Sequence, residues 1–437
     1  MASETATGDV HSSLTLEEAG AQLTTAVTRL SPPFPWAVLP ADTVLVGGVV
    51  RDALLGRLRD NPDVDLTVPR GAIHLCRQLA GRWGGTVVVL DPVRDMGRLV
   101  HGPWTVDVAA WDSSTMEADL WRRDFSLNAM AYHLKQRTFH DPCGGLQDLA
   151  RRRLRCVAAA NLAADPLRVL RAYRLAAELG CTIEGRTRQW LQQVAPKLGM
   201  VASERVLAEL ERLCRAAQAH HWLLETGTAL GTWLPMARPW PGLGRLSHQL
   251  ALAVGLEGES LTRQLALARL AGVLGAQSVV ERLGCSRRRQ RQWQRLHHWR
   301  QVWAEATAGL TEDQQLQLHL DLTTDLPALL LVLLAHNQLT LKQARLWLCR
   351  WQDPADPLCH PRCPLGGHRL QEALSVSPGP QLGALMAFLR CESAFGRLAV
   401  DDEASILDSA RQWLQQTGLQ QTASPRQAPR RSKPDSP

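Results

Sequence analysis

Two carboxylates two residues apart, Asp63 and Asp65, follow a glycine pair and a charged pair in the string LVGGVVRDALLGRLRDNPDVDLTV. Val64 to Val68 reads as a short apolar strand, and side chains two apart on a strand share a face. Carboxylates so placed can share a pair of magnesium ions, one activating an attacking hydroxyl and the other steadying a leaving pyrophosphate. Upstream, Thr43 to Val46 reads as a strand and Val49 to Leu55 as a helix start. Gly47 and Gly48 between them let the backbone approach a triphosphate at a helix N-terminus, with Arg51 as a charged clamp. Each half alone has a plainer explanation: Gly-Gly after a strand is commonly a turn, and Asp-x-Asp at a strand end is commonly solvated. Together they describe what a nucleotidyl-transfer site needs.

The string resembles the opening motif of the tRNA nucleotidyltransferase and bacterial poly(A) polymerase family, of the class II CCA-adding type. Trp104 to Ala110 reads as a strand carrying Asp107, where the family places a third acidic residue, implied to help activate the terminal 3′-hydroxyl. Arg122-Arg123-Asp124-Phe125-Ser126-Leu127-Asn128-Ala129-Met130-Ala131-Tyr132 is similar to the family's RRDFTINAMAY block. That resemblance implies phosphate binding by Arg123 and ribose contacts by Asp124 and Asn128. Asp141 to Leu149 resembles DPFGGLEDL, a turn and short helix that serve as scaffold.

Asp165-Pro166-Leu167-Arg168-Val169-Leu170-Arg171-Ala172-Tyr173-Arg174 resembles the family's nucleotide-selecting helix, EDPLRILRAVRFA. Asp165 can accept from an exocyclic amine and Arg168 can donate to the ring acceptors beside it. Cytosine and adenine offer that edge, whereas uracil lacks the amine. Arg171 and Arg174 would hold the helix against phosphate. Asp165 before Pro166 is equally an ordinary helix start. Ala164 stands where the family has glutamate. Ser203 to Leu210 is similar to the last motif, an ERIREEL helix start, and is otherwise an acidic amphipathic helix.

The elements that must position these residues follow from pattern and resemblance together. The expected fold is α+β: a polymerase-beta-like nucleotidyltransferase head with a mixed sheet and helices, then an all-helical neck, body and tail. Beyond Leu154 the strand signal gives way to helical stripes separated by Gly or Pro breaks. The expected boundaries are an extension and helix over 1–37, head 38–156, neck 157–216, RNA-binding body 217–345, tail 346–421 and a disordered end over 422–437.

Net charge is +7, and of 49 basic residues only Lys135, Lys197, Lys342 and Lys433 are lysines. The arginine excess suits forked phosphate contacts, although a GC-rich genome produces the same bias. Ten scattered cysteines without a spaced framework indicate reduced thiols in a cytoplasmic protein. The first 20 residues hold no basic start and no apolar run, so neither a signal peptide nor a membrane helix is expected there. Arg287 to Arg300 is basic with interleaved aromatics, equally an RNA-facing segment or a solvated helix face. Cys359, His360, Cys363 and His368 have zinc-ligand types, yet their spacing fits no common finger. Pro364 to Leu370 with Ser377 to Gly383 resembles the family's tail hairpin instead.

The resemblance implies template-independent nucleotide addition to the 3′ end of tRNA from CTP and ATP, with two Mg2+ ions as cofactors. Complete CCA addition, poly(A) synthesis and tRNA binding by an inactive head are the alternatives. Relatives that finish CCA carry a flexible stretch of roughly 15 to 25 residues before the RRD block, and loops that long are uncommon unless functional. Only Trp111 to Trp121 fills that gap here, which favours CC addition. No oligomeric state follows from the sequence.

Overall fold

The computed structural model describes residues 14–235, 238–306, 309–398 and 401–422. Helix α1 (Leu16–Arg29) opens on a reciprocal Thr15–Glu18 capping box and buries Ala19, Leu23 and Val27. Strand β1 (Val44–Val46), helix α2 (Gly48–Leu54) and strand β2 (Asp63–Val68) follow. Helix α3 (Ala72–Trp83) and strands β3 (Thr86–Asp91), β4 (Met96–His101) and β5 (Trp104–Ala110) come next, with β6 (Ala131–His133) and β7 (Thr138–His140) completing the set. The seven strands form one sheet in the order β3-β4-β5-β2-β1-β6-β7.

Strands β2 and β5 pair in parallel, and the other neighbours are antiparallel. A parallel pair requires a crossover, and α3 with the β3–β4 hairpin supplies it. The hairpin turn also caps α3. Asp95 accepts the N–H groups of Gly71, Ala72 and Ile73 at 2.7, 2.9 and 2.9 Å, the unsatisfied donors of a helix start. Burial pushes the Asp95 carboxyl up, but these three donors outweigh it and hold it below its ordinary value.

Helix α4 (Met116–Trp121) fills most of the segment between β5 and Arg122, and α5 (Gly145–Ala150) follows β7. Helices α6 (Ala159–Ala164) and α7 (Arg168–Leu179) then flank Asp165. Leu154 does not end the strands: Thr182–Ile183 pairs in parallel with Arg153–Leu154. A two-residue strand is too short to show a period of two.

The chain forms two compact units, Met1–Ser247 with Gly272–Cys285, and His248–Ala271 with Ser286–Pro437. The first contains the sheet and α1 to α7. The second is helical. At its centre Leu326–Ala335, LPALLLVLLA, is almost wholly buried, as expected of a helix apolar on every side. Leu370, Leu385, Leu389 and Ile406 join three later helices, Gly367–Leu374, Pro380–Ala394 and Glu403–Thr422, into one cluster. Among the described residues no single helix is long and apolar enough to cross a membrane. The disordered end expected over 422–437 lies outside the described residues except for Thr422, the last residue of its helix.

The zinc-type residues face separate partners. Cys359 Sγ is 3.7 Å from His319 Nε2, His360 Nε2 is 2.8 Å from the Trp351 carbonyl oxygen, and His368 is 3.3 Å from Glu372.

Candidate active site

The sheet sets a charged row across three strands. Asp65 on β2 stands opposite Asp107 on β5, and Asp107 stands opposite Arg98 on β4; cross-strand partners share a face. Asp63 begins β2, paired with Thr105 and exposed. Burial pushes the Asp65 carboxyl up to about 6; Arg123 pulls it back only in part, and the Asp107 and Asp63 charges add to the rise. A half-buried carboxylate whose charged form two arginines only partly offset, with a second carboxylate two residues away, is a hard-oxygen donor set that fits a divalent cation.

Asp107 is held differently. Arg98 Nε donates to its Oδ1 at 2.7 Å and Nη2 to its Oδ2 at 2.8 Å. Among the described residues no three of His, Cys, Asp and Glu gather as a metal-ligand cluster. Sequence reasoning misses Arg98. It is a lone charge within MGRLVH, and only the strand register shows that it meets Asp107.

Gly47 lies at φ +72, and a Cβ there would sit 3.0 Å from Asp65 Oδ2 and 3.6 Å from Arg123 Nη1. Positive φ and that close approach both call for glycine. Gly48 starts α2, and its open side faces Arg51 Nη2 at 3.5 Å. Arg51, expected as a charged clamp on the triphosphate, is buried, donating to Asn128 Oδ1 at 2.6 Å and to Asp52 Oδ1 at 2.9 Å. The reason is its place on α2 one turn after Gly47, on the side packed inward against the Ser126–Asn128 turn.

Asn128 passes the contact on, its Nδ2 donating to Asp124 Oδ1 at 3.1 Å. The other oxygen of Asp124 pairs with Arg171 Nε at 2.6 Å. Burial pushes Asp124 up, yet Arg171, Arg168, the Asn128 amide and the Phe125 N–H together bring it below its ordinary value. Asp124 is therefore charged and held in place.

Beside this network lies a cleft of about 200 Å³ lined by Arg123, Asp124, Asp165, Leu167, Arg168, Arg171 and Arg205. Four guanidinium groups face two carboxylates, an excess of positive charge suited to a polyphosphate. Asp165 Oδ2 accepts from Arg205 Nη2 at 2.9 Å, while its Oδ1 accepts the Leu167 N–H at 3.3 Å. It thus braces the turn between α6 and α7 and lines the cleft at once. Arg205 is the second residue missed. Its place in the helix Ser203–Arg215 reads as surface, and only the fold brings it 40 residues back to Asp165.

Arg168 donates to the carbonyl oxygens of Asn161 and Arg122 at 2.8 and 3.3 Å. Asn161 in turn donates to the Trp121 and Arg123 carbonyls at 2.9 and 2.7 Å, so α7 is tied to the RRD segment. Arg174 departs from expectation. It is buried, with Nε on Glu209 Oε2 and Nη1 on Glu178 Oε2, both at 2.6 Å. Residues three apart drift by about 60° around a helix, so Arg174 lies about 120° from Arg168. That rotation carries it from the cleft side to the packed side.

The sequence profile of the Poly A polymerase head domain matches residues 100–155. A CC-adding tRNA nucleotidyltransferase of Synechocystis sp. is 34% identical over 396 residues, which is 86% of this chain and 95% of that protein. The chain belongs to the tRNA nucleotidyltransferase family. An A-adding tRNA nucleotidyltransferase of Deinococcus radiodurans is 40% identical over 248 residues, 54% of this chain and 55% of that protein. The fold matches the solved structure of a CCA-adding enzyme in an apo form, with a TM-score of 0.65 over 90% of this chain and 93% of the other at 19% identity. Within the family pattern, Ala164 is an exposed residue at the end of α6 and offers no group to orient Arg168. The Asn161 and Arg122 carbonyls hold that arginine instead.

Proposed function

We propose that this chain adds cytidine from CTP to the 3′ end of tRNA without a nucleic-acid template, and stops after two additions. The observation that carries nucleotidyl transfer is the adjacency of the Asp63–Asp65 pair, across Gly47 and Arg123, to a cleft lined by four arginines. The near full-length likeness to a CC-adding relative supports tRNA as acceptor and CTP as donor.

Two magnesium ions held by Asp63 and Asp65 would supply activation of the attacking hydroxyl and charge neutralisation at the leaving pyrophosphate. The protein's own part is placement. Arg123 and Arg171 draw the triphosphate into the cleft. Asp124, fixed by Arg171 and Asn128, presents a charged acceptor for the ribose 2′-hydroxyl. Asp165 and Arg168 present an acceptor and a donor to the base edge, the pairing that cytosine completes and uracil does not. Asp107, held by Arg98, helps activate the terminal 3′-hydroxyl as attack begins.

The stop after two cytidines rests on the segment 111–121. It is a short loop followed by the six-residue α4, whose Met116 and Leu120 pack with Val44, Val46 and Ala131. A lever so short and so anchored has little freedom to remodel the base pocket for adenine. Extension of tRNA lacking CCA with CTP alone, and with CTP plus ATP, resolved by length, tests this. Two added nucleotides in both reactions are expected. A third at comparable rate with ATP shows complete CCA addition, and long tails from ATP alone show a poly(A) polymerase.

A further inference from the structure

The helix Arg287–Glu305 takes no part in the nucleotide cleft and carries six arginines against one acid, Glu305 at its end. One side is core: Trp293, Leu296 and Trp299 are buried, with the indole N–H groups donating to the Ala271 carbonyl at 3.3 Å and to Asp321 Oδ2 at 3.0 Å. Gln292 reaches Asp325 on the same side at 3.1 Å. The other side exposes Arg287, Arg288, Arg291, Arg295 and His298. Their spacing of three and four makes a single stripe, with about 12 Å of rise from Arg287 to Arg295.

The charge order opposes the helix. Arginines occupy the first turn, where the macrodipole favours acids, and the one acid occupies the last, where it favours bases. Arg287, Arg291 and Arg295 also repel one another at four-residue steps. A face shaped only for solubility needs neither penalty, whereas a polyanion lying along the stripe removes both. The stripe holds no exposed apolar residue to enter a lipid layer, and guanidinium forks match phosphate.

We infer that this stripe is a docking surface for the phosphate backbone of the RNA substrate, with Arg288, Arg291 and Arg295 as its contacts. The inference rests on the proposed tRNA-directed activity.

The test compares binding of tRNA lacking CCA by the full chain and by the Arg288→Gln, Arg291→Gln, Arg295→Gln triple variant across a salt series. Expected are a loss of affinity of about 10- to 100-fold and a slope of log affinity against log salt shallower by roughly 2 to 3, near one per lost contact. The matching triple lysine variant should recover most of both, since it keeps the charge. Unchanged affinity and slope overturn the inference. So does weaker binding with an unchanged slope that lysine does not restore, which would mark a helix-stability effect. Loss of binding to vesicles of anionic phospholipid with RNA binding intact would assign the stripe to membranes and overturn it too. If the wild-type chain shows the stripe-dependent slope but adds no nucleotide, the docking surface stands and the proposed activity falls.

Discussion

Arg98 grips Asp107 by both carboxylate oxygens, at 2.7 and 2.8 Å, from the paired position on the neighbouring strand, while Asp65 faces Asp107 from the strand on its other side. The third carboxylate thus sits between a cation and a second carboxylate. Arg98 offsets repulsion that would otherwise turn Asp107 away from Asp65. Arg98→Ala should slow nucleotide addition roughly tenfold, the scale of a lost positioning contact, with tRNA affinity nearly unchanged. Arg98→Lys should recover part, because an ammonium cannot fork. A wild-type single-turnover rate in Arg98→Ala would show that Asp107 needs no such support.

Asp63→Asn or Asp65→Asn should remove nearly all nucleotide addition and leave tRNA affinity within a few fold. The lost charge acts on the proposed metal-binding pair, whereas the proposed RNA binding would be spread over many phosphate contacts. Asp65→Asn should also melt no lower than wild type near neutral pH, since it removes a carboxylate whose ionised form is disfavoured by burial. Activity in either variant would move the catalytic pair elsewhere.

Asp165→Ala should blur the choice between CTP and UTP more than it slows CTP addition, because an acceptor aimed at the amine is gone. Arg205→Ala should blur it in the same direction, through loss of the 2.9 Å contact that orients Asp165. Steady-state addition measured with each nucleotide separately decides the matter. Equal slowing with all nucleotides would reduce Asp165 to a brace of the α6–α7 turn, worth about 1 kcal/mol of stability.

His319 predicts acid sensitivity in the second unit. It is 1% exposed and stacked on Trp347 at 5.4 Å, and burial, with Arg350 adding to it, pushes it down to about 4. An unfolded histidine titrates near 6.5, so between about pH 6.5 and 4 the unfolded chain binds a proton that the folded chain refuses. The stability is present above pH ~6.5 and lost as pH falls toward the folded value, by at most roughly 3 kcal/mol. Denaturant unfolding at neutral and mildly acidic pH should show a smaller difference in His319→Gln than in wild type. An equal difference would place the acid sensitivity in other groups.

The strands that carry the chemistry were legible in one dimension. Trp104 to Ala110 and the carboxylates of β2 announce themselves by alternation and by residue type within a few positions. So does the fold class, because strand signals concentrate before Leu154 and helical stripes follow. Gly47 was legible only in combination, since Gly-Gly after a strand is commonly a turn and gains meaning from the Asp63–Asp65 pair that follows it.

What required the tertiary structure is every relationship between residues far apart in the chain. Arg205 meets Asp165 across 40 residues, and Arg51 meets Asn128 across 77. A local pattern cannot distinguish an arginine that faces phosphate from one that supports a neighbour, because both are the same charge on the same helix. Arg168 and Arg174 show it: two members of one three-residue series, one on the cleft and the other in a buried pair with Glu209. Sequence determined which groups are available, and packing, by rotating each helix face toward core or cleft, decided which of them the substrate can reach.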